Sequence, residues 1–173
     1  MRLRPTTTPY LFGDLLAIAR ESWVEQMATR LGAQGFDDYR RSDAAVMRLL
    51  ARRPLAVARL AEALGVTRQA ARKVVSVLEV RGYVTLERPE HDSRQRRATL
   101  TPYGRAYAQA VVQAIDDLNR QLSIAAAPEQ LAAADAVLRV VIGVEGRWAA
   151  IAGRLPPPLP PPALPSAPGH SQR

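Results

Sequence analysis

The sequence predicts a mostly α-helical fold: a winged helix-turn-helix between long N- and C-terminal helices, with a small wing of two to three strands. Three observations predict it. "LAEALGVTRQAARKVVSVLEV" sets two helically spaced apolar patterns on either side of a tight Gly65-Val66-Thr67 turn. Two short alternating stretches, "YVTLER" and "RATL", follow and bracket the polar loop "PEHDSRQR". Positive charge is confined to the same region: Arg40 to Arg105 holds 15 Lys and Arg against 6 Asp and Glu, whereas the remainder holds 9 against 10. A genome rich in arginine explains 23 Arg to 1 Lys, but not this clustering.

Each element has a local reason. Thr8-Pro9 reads as a cap and first-turn proline for a helix running to about Leu31, with Phe12, Leu16, Ala19, Trp23, Met27 and Leu31 on one face and Gly32 and Gly35 ending it. Ser42 is the expected cap of a second helix carrying Val46, Leu49 and Leu50, which Pro54 stops. A third helix covers about Val57 to Leu64, with Leu60, Ala61 and Leu64 apolar. Thr67 is the expected cap of a fourth, Arg68 to Arg81, followed by Gly82 at a left-handed position. Its inner face is Ala71, Val74, Val75 and Leu78. Gln69, Arg72, Lys73 and Ser76 repeat at helical spacing on the other side.

The alternation in the wing sets Val84 and Leu86 against Thr85 and Glu87, with Ala98 and Leu100 sharing a side. Thr101-Pro102 starts a long helix with Tyr107, Ala110, Val111, Ala114, Ile115, Leu118 and Leu122 in register. Pro128 starts a last helix with Leu131, Ala134, Leu138, Val141, Ile142 and Trp148, and Gly143 and Gly146 are read as lying inside it. Residues 156–173 hold eight prolines in eighteen positions and are expected to be an extended, disordered tail.

Composition excludes several functions. With no cysteine, disulfides, thiolate metal sites and thiol redox sensing are absent. Asp14 interrupts the apolar run near the N-terminus, which argues against a signal peptide. No apolar stretch reaches the ~18 residues of a membrane span, so a soluble, cytoplasmic chain with no membrane partner is expected. His91-Asp92-Ser93 has the letters of a hydrolase triad, but adjacent residues on a hairpin tip cannot converge as nucleophile, base and orienter. His91 and His170, the two histidines, make no metal set. No enzyme, cofactor or metal is expected.

The fourth helix carries Arg68, Gln69, Arg72 and Lys73 near its start, where anions rather than cations are favoured. An external negative charge resolves this conflict, and a localised basic patch is the electrostatic footprint of nucleic-acid binding. A merely solvated charged face is the plain alternative. The order of helix, turn, basic helix and charged hairpin carries the argument past it.

The segment from about Ser42 to Gly104, with "LAEALGVTRQAARKVVSVLEVRGYV" and then "HDSRQRRATLTPYG", resembles the MarR family of winged helix-turn-helix transcriptional regulators. Asp92-x-Arg94 and the closing Leu100-Thr101 match that family's wing. The six-helix layout from Thr8 to about Arg154 matches its chain. The resemblance implies a homodimer joined through the first and last two helices, a recognition helix in the major groove of double-stranded DNA, a wing at the minor groove, and a pseudo-palindromic operator. It divides the chain into an arm and dimerisation helix (1–41), a DNA-binding domain (42–101), dimerisation helices (102–155) and the Pro-rich tail (156–173).

On this reading Thr67 and its neighbouring N–H groups point at phosphate, and Arg68 contacts it. Gln69, Arg72, Lys73 and Ser76 face the bases; arginine suits guanine and glutamine suits adenine. Arg94 enters the minor groove, Arg88, Arg96 and Arg97 contact the backbone, and Asp92 is structural. The resemblance also implies a small aromatic effector, for which Trp23, Met27, Phe36 and Tyr39 are candidate lining residues; ordinary packing is their alternative role. Ala56 and Ala127 stand where the family often has a Ser or Thr cap. The competing function is a winged-helix protein-interaction module with "PPPLPPPALP" as a polyproline ligand.

Overall fold

The computed structural model describes residues 11–88 and 96–143. The element order is α1 (Phe12–Gly32), α2 (Asp43–Leu50), β1 (Leu55–Ala56), α3 (Val57–Leu64), α4 (Arg68–Val80), β2 (Val84–Glu87), β3 (Arg97–Leu100), α5 (Pro102–Ala125) and α6 (Pro128–Ile142). This is a winged helix-turn-helix with a long helix before it and two after it. The helix-turn-helix is α3 and α4, and the turn works because Gly65 ends α3 at φ 64°, a conformation that costs glycine little. Gly82 closes α4 in the same left-handed way, at φ 76°.

The wing is a three-stranded antiparallel sheet in the order β1-β3-β2. Val84 pairs with Leu100 and Leu86 with Ala98, while Thr85 pairs with Thr99 and Glu87 with Arg97. Val84, Ala98 and Leu100 are buried, and Thr85, Glu87 and Arg97 are exposed, as period-two alternation requires. The third strand, β1, went unread in the sequence. Its two residues, Leu55 and Ala56, pair with Ala98 and Arg97 and are too short for any periodicity.

The core forms where α2 and the second half of α1 lie against α5, and where α3 lies against α4. Met27, Leu31, Met47, Leu60, Leu78, Tyr83, Tyr107 and Val111 are among its buried side chains. Three expectations about the helices need correction. α1 starts at Phe12, where Asp14 accepts the Leu11 N–H at 3.1 Å; Thr8-Pro9 lies outside the described residues. Ser42 precedes α2 but does not cap it, because its hydroxyl donates to the adjacent Asp43 carboxylate at 3.3 Å. α6 ends at Ile142 because Gly143 turns to φ 82°. Gly143 is therefore a terminator and not an interior residue, while Gly146 and Trp148 lie outside the described residues.

Two further details qualify the sequence reading. Val80 is the last residue of α4, and Arg81 takes the position that follows it. Leu122, read as in register with Leu118 on α5, is exposed, whereas Leu118 is buried. The missing hydroxyl at Ala127 is compensated by Gln130, whose side-chain oxygen accepts the Ala127 N–H at 2.9 Å. Ala56 has no such substitute.

The seam between wing and α5 allows no extra atom. Thr101 Oγ1 donates to the Gly82 carbonyl at 2.7 Å and accepts the Gly104 N–H at 2.8 Å, and the Thr101 N–H reaches the Tyr83 carbonyl at 3.1 Å. A Cβ on Gly104 would lie 1.8 Å from the Tyr83 carbonyl oxygen. Gly104→Ala gains up to ~1 kcal/mol of helix propensity, but this backbone clash cannot be relieved by a rotamer change. Overpacking of that kind costs ~1–3 kcal/mol or more. Urea unfolding is expected to show net destabilisation; an unchanged or higher midpoint would contradict the close approach.

Candidate nucleic-acid interface

The candidate surface starts at the first turn of α4. Thr67 is extended, at φ −68° and ψ 154°, and its Oγ1 accepts the Ala70 N–H at 3.1 Å. That bond caps one of the helix's unpaired first-turn N–H groups and leaves those of Arg68 and Gln69 without an intrahelical acceptor. α1, α2 and α6 each place an acid in the first turn, as the helix dipole favours. α3, α4 and α5 place none there, and of these α4 is the one whose first two turns carry Arg68, Arg72 and Lys73. Thr67, Arg68, Gln69, Arg72, Lys73 and Ser76 are all exposed, and Ala71, Val75 and Leu78 are buried on the opposite face.

The wing adds a second cluster. Glu87 and Arg97 form the last pair of the β2–β3 ladder, so Arg88, just after it, and Arg96, just before it, sit together with Arg97 at that end. All three arginines are exposed. Arg94, Asp92 and His91 lie outside the described residues. Three exposed arginines elsewhere are paired along their own helices, Arg59–Glu62 at 2.8 Å, Arg120–Asp117 at 3.1 Å and Arg139–Asp135 at 2.6 Å. Among the described residues, Arg68, Arg72, Lys73, Arg88, Arg96 and Arg97 have no carboxylate partner of this kind.

What fixes α4 lies at its other end. Arg81 donates from Nε to Asp38 Oδ2 at 2.6 Å, from Nη2 to Asp38 Oδ1 at 2.9 Å and to the Asp38 carbonyl at 2.7 Å, and from Nη1 to Asp43 Oδ2 at 2.7 Å. Asp43 is 1% exposed. Its Oδ2 also accepts the Tyr107 hydroxyl at 2.8 Å and the Arg40 N–H at 3.1 Å. The Tyr83 hydroxyl donates to Asp38 Oδ1 at 2.7 Å. The guanidinium lies 4.8 Å from the Tyr83 ring centroid, and Tyr83 stacks on Tyr107 at 4.2 Å and on Tyr103 at 5.0 Å.

These contacts set the ionisation of the cluster. The Arg81 hydrogen bond holds the Asp38 carboxyl at about 2, below its ordinary 3.8, against the opposing effect of burial. Burial disfavours charge on Arg81, but its hydrogen bonds to Asp38 and Asp43 outweigh that and raise its pKa. Burial, and then the neighbouring carboxylates, push both the Tyr83 and Tyr107 hydroxyls upward. Sequence reading missed Arg81, Asp38, Asp43 and Gly104 as positioning residues. The available signals were an acid opening the mostly apolar α2 and the Arg81-Gly82-Tyr83 run inside the quoted motif.

The four candidate effector residues do not share one environment. Met27 is fully buried, and Phe36 is buried against Tyr107 with ring centroids 5.1 Å apart. Trp23 and Tyr39 are half-buried at the edge of the core. Among the described residues no group of acids and histidines is arranged to hold a metal ion, and no helix is long and apolar enough to cross a membrane.

Fold and surface together define a winged-helix protein. Residues 38–95, the winged segment, match the MarR family model. A crystal structure of a probable transcriptional regulator from Pseudomonas aeruginosa is 22% identical, with a TM-score of 0.61, over 75% of this chain and 96% of that one. The S. aureus MepR–DNA complex is 16% identical, with a TM-score of 0.66, over 77% and 97%. Streptococcus pneumoniae FabT in complex with DNA is 19% identical, with a TM-score of 0.62, over 75% and 90%. These likenesses establish a shared fold. No curated protein matches the chain in sequence.

The depressed Asp38 pKa carries a sign. Because the folded value lies below the ordinary one, its stabilisation is complete above about pH 4 and is lost as pH falls toward 2. The side chain is 48% exposed, so solvent screening keeps the effect modest. Urea midpoints measured from pH 5 to pH 2 are expected to fall more steeply in the parent chain than in Asp38→Asn. Parallel curves would contradict the ion pair's contribution.

Proposed function

We propose that the chain is a DNA-binding transcriptional regulator that acts on duplex DNA as a homodimer, most simply as a repressor occupying a pseudo-palindromic operator. The observation that carries this reading is the α4 surface: a capped helix start bearing Arg68, Arg72 and Lys73, all exposed and without carboxylate partners among the described residues. Phosphate is the anion whose geometry and spacing answer such a surface. The MarR family model matched by residues 38–95 and the DNA complexes of the two structurally similar proteins support the same assignment.

In this reading Thr67 and Arg68 position α4 on the phosphates. Gln69, Arg72, Lys73 and Ser76 face base edges, and Arg88, Arg96 and Arg97 grip the backbone, with Arg94 as the wing's minor-groove residue. One recognition helix reads only a few base pairs, so a second half-site supplied by a second copy is needed for specificity. Exposed apolar side chains support that copy: Phe12, Leu15 and Ile18 of α1, Leu122 and Ile124 of α5, and Val137, Leu138 and Val141 of α6. α6 buries no residue within its own chain.

A small aromatic effector among Trp23, Met27, Phe36 and Tyr39 would have to displace core packing at Met27 and Phe36. The alternative, a protein-interaction module, depends on the Pro-rich residues 156–173, which lie outside the described residues.

The test is duplex binding against salt. With ~6–10 phosphates contacted, affinity is expected to fall ~10³–10⁵-fold between 50 and 200 mM salt. Arg72→Ala is expected to lose ~1–3 kcal/mol on the specific operator and little on random duplex. Salt-insensitive or absent duplex binding would refute the regulator reading; equal loss on both DNAs would refute base readout by Arg72.

A further inference from the structure

The outer face of the wing holds two opposite charges that do not meet. Glu87 and Arg97 are direct cross-strand partners, the relation in which opposite charges ordinarily pair. No ion pair joins them among the described residues. The Glu87 carboxylate is instead taken by two hydroxyls. Thr85 Oγ1 donates to its Oε1 at 3.2 Å, and Thr99 Oγ1 donates to its Oε2 at 3.3 Å. Thr85 Oγ1 also lies 3.5 Å from the Thr99 carbonyl, the longer of its two contacts. Thr85 and Thr99 are themselves cross-strand partners, next but one along the ladder from Glu87 and Arg97 and on the same face.

We propose that Thr85 and Thr99 are positioning residues that hold the Glu87 carboxylate back from Arg97, and so keep the Arg97 guanidinium available for a phosphate of duplex DNA. The proposal rests on the DNA-binding reading above. An arginine already paired with a neighbouring carboxylate presents little net charge, and a phosphate would have to displace that carboxylate. Two neutral hydroxyls satisfy the acid without using the arginine's donors. Removing the hydroxyls frees Glu87 to turn toward Arg97, so the wing loses one phosphate contact while its backbone stays unchanged.

The experiment compares the full chain with Thr85→Val/Thr99→Val, the same pair with Glu87→Gln added, and Thr85→Ser/Thr99→Ser. Valine keeps the β-branched shape suited to a strand, and circular dichroism checks the fold. Duplex affinity is measured from 50 to 200 mM salt. In the valine pair the slope of log K against log salt is expected to become shallower by about 0.9 per bound protomer. Adding Glu87→Gln is expected to restore the parental slope, and the serine pair is expected to keep it. If the valine pair does not fold, Thr99→Val alone, read against Thr99→Val/Glu87→Gln, decides in the same way.

A parental slope in the valine variant, or a loss that Glu87→Gln does not restore, overturns the proposal while leaving the regulator reading intact. A parent chain without salt-dependent duplex binding overturns both.

Discussion

The Arg81 guanidinium is shared by two aspartates, Asp38 at the surface and Asp43 in the interior, and the placement of α4 depends on that sharing. A carboxylate as buried as Asp43 is tolerated only when it is paired and its oxygens are hydrogen-bonded. Arg81, Tyr107, Arg40 and Ser42 meet that need. Removing one partner from such a buried pair typically costs ~3–5 kcal/mol, because the other charge is left uncompensated. The pair is thus less a source of stability than a fixed geometry that the sequence cannot abandon cheaply. It ties the end of α4 to the α1–α2 linker and to α5 at one point.

The rest of the winged unit follows from that anchor. Just after Arg81 the chain turns at Gly82 into β2, and Thr101 and Gly104 clasp Gly82 and Tyr83 from the far side of the wing. The C-terminal end of α4 is therefore held by charge, aromatic stacking and backbone hydrogen bonds together. Its N-terminal end, with Thr67, Arg68 and Gln69, is left exposed. A helix held in place with its first turn exposed is suited to insertion into a groove, because little ordering cost is left for the binding step. The same logic links α1 to the site: Met27 and Leu31 seat its second half in the core, and Asp38 in the linker that follows meets Arg81.

Much of this was legible in local sequence. Residues 57–64 read as α3 and fold as such, and Thr67 caps α4 with the bond its position predicts. The outward set Gln69, Arg72, Lys73 and Ser76 is outward, because period 3.6 and the buried Ala71, Val75 and Leu78 leave no other solution. Ser42 misled because a cap is a local rule, and the neighbouring Asp43 takes its hydroxyl. β1 was invisible because two residues have no period; only the edge of β3 makes them a strand. The Arg81 clamp was invisible for another reason. Its partners lie 38 and 43 residues away, and nothing local says which acid an arginine will choose. Gly104 sat in plain view in the quoted motif, but its necessity comes from the Tyr83 carbonyl and not from its neighbours.

The central claim is that the cationic start of α4 and the arginine end of the β2–β3 ladder act as one grip on duplex DNA. Amide chemical-shift mapping of the full chain during titration with a duplex tests it most directly. The account predicts that the largest perturbations fall on Thr67 to Ser76 and on Arg88, Arg96 and Arg97, while the amides of α6 stay put. Perturbations confined to α1 and α6, or none on α4, would contradict it.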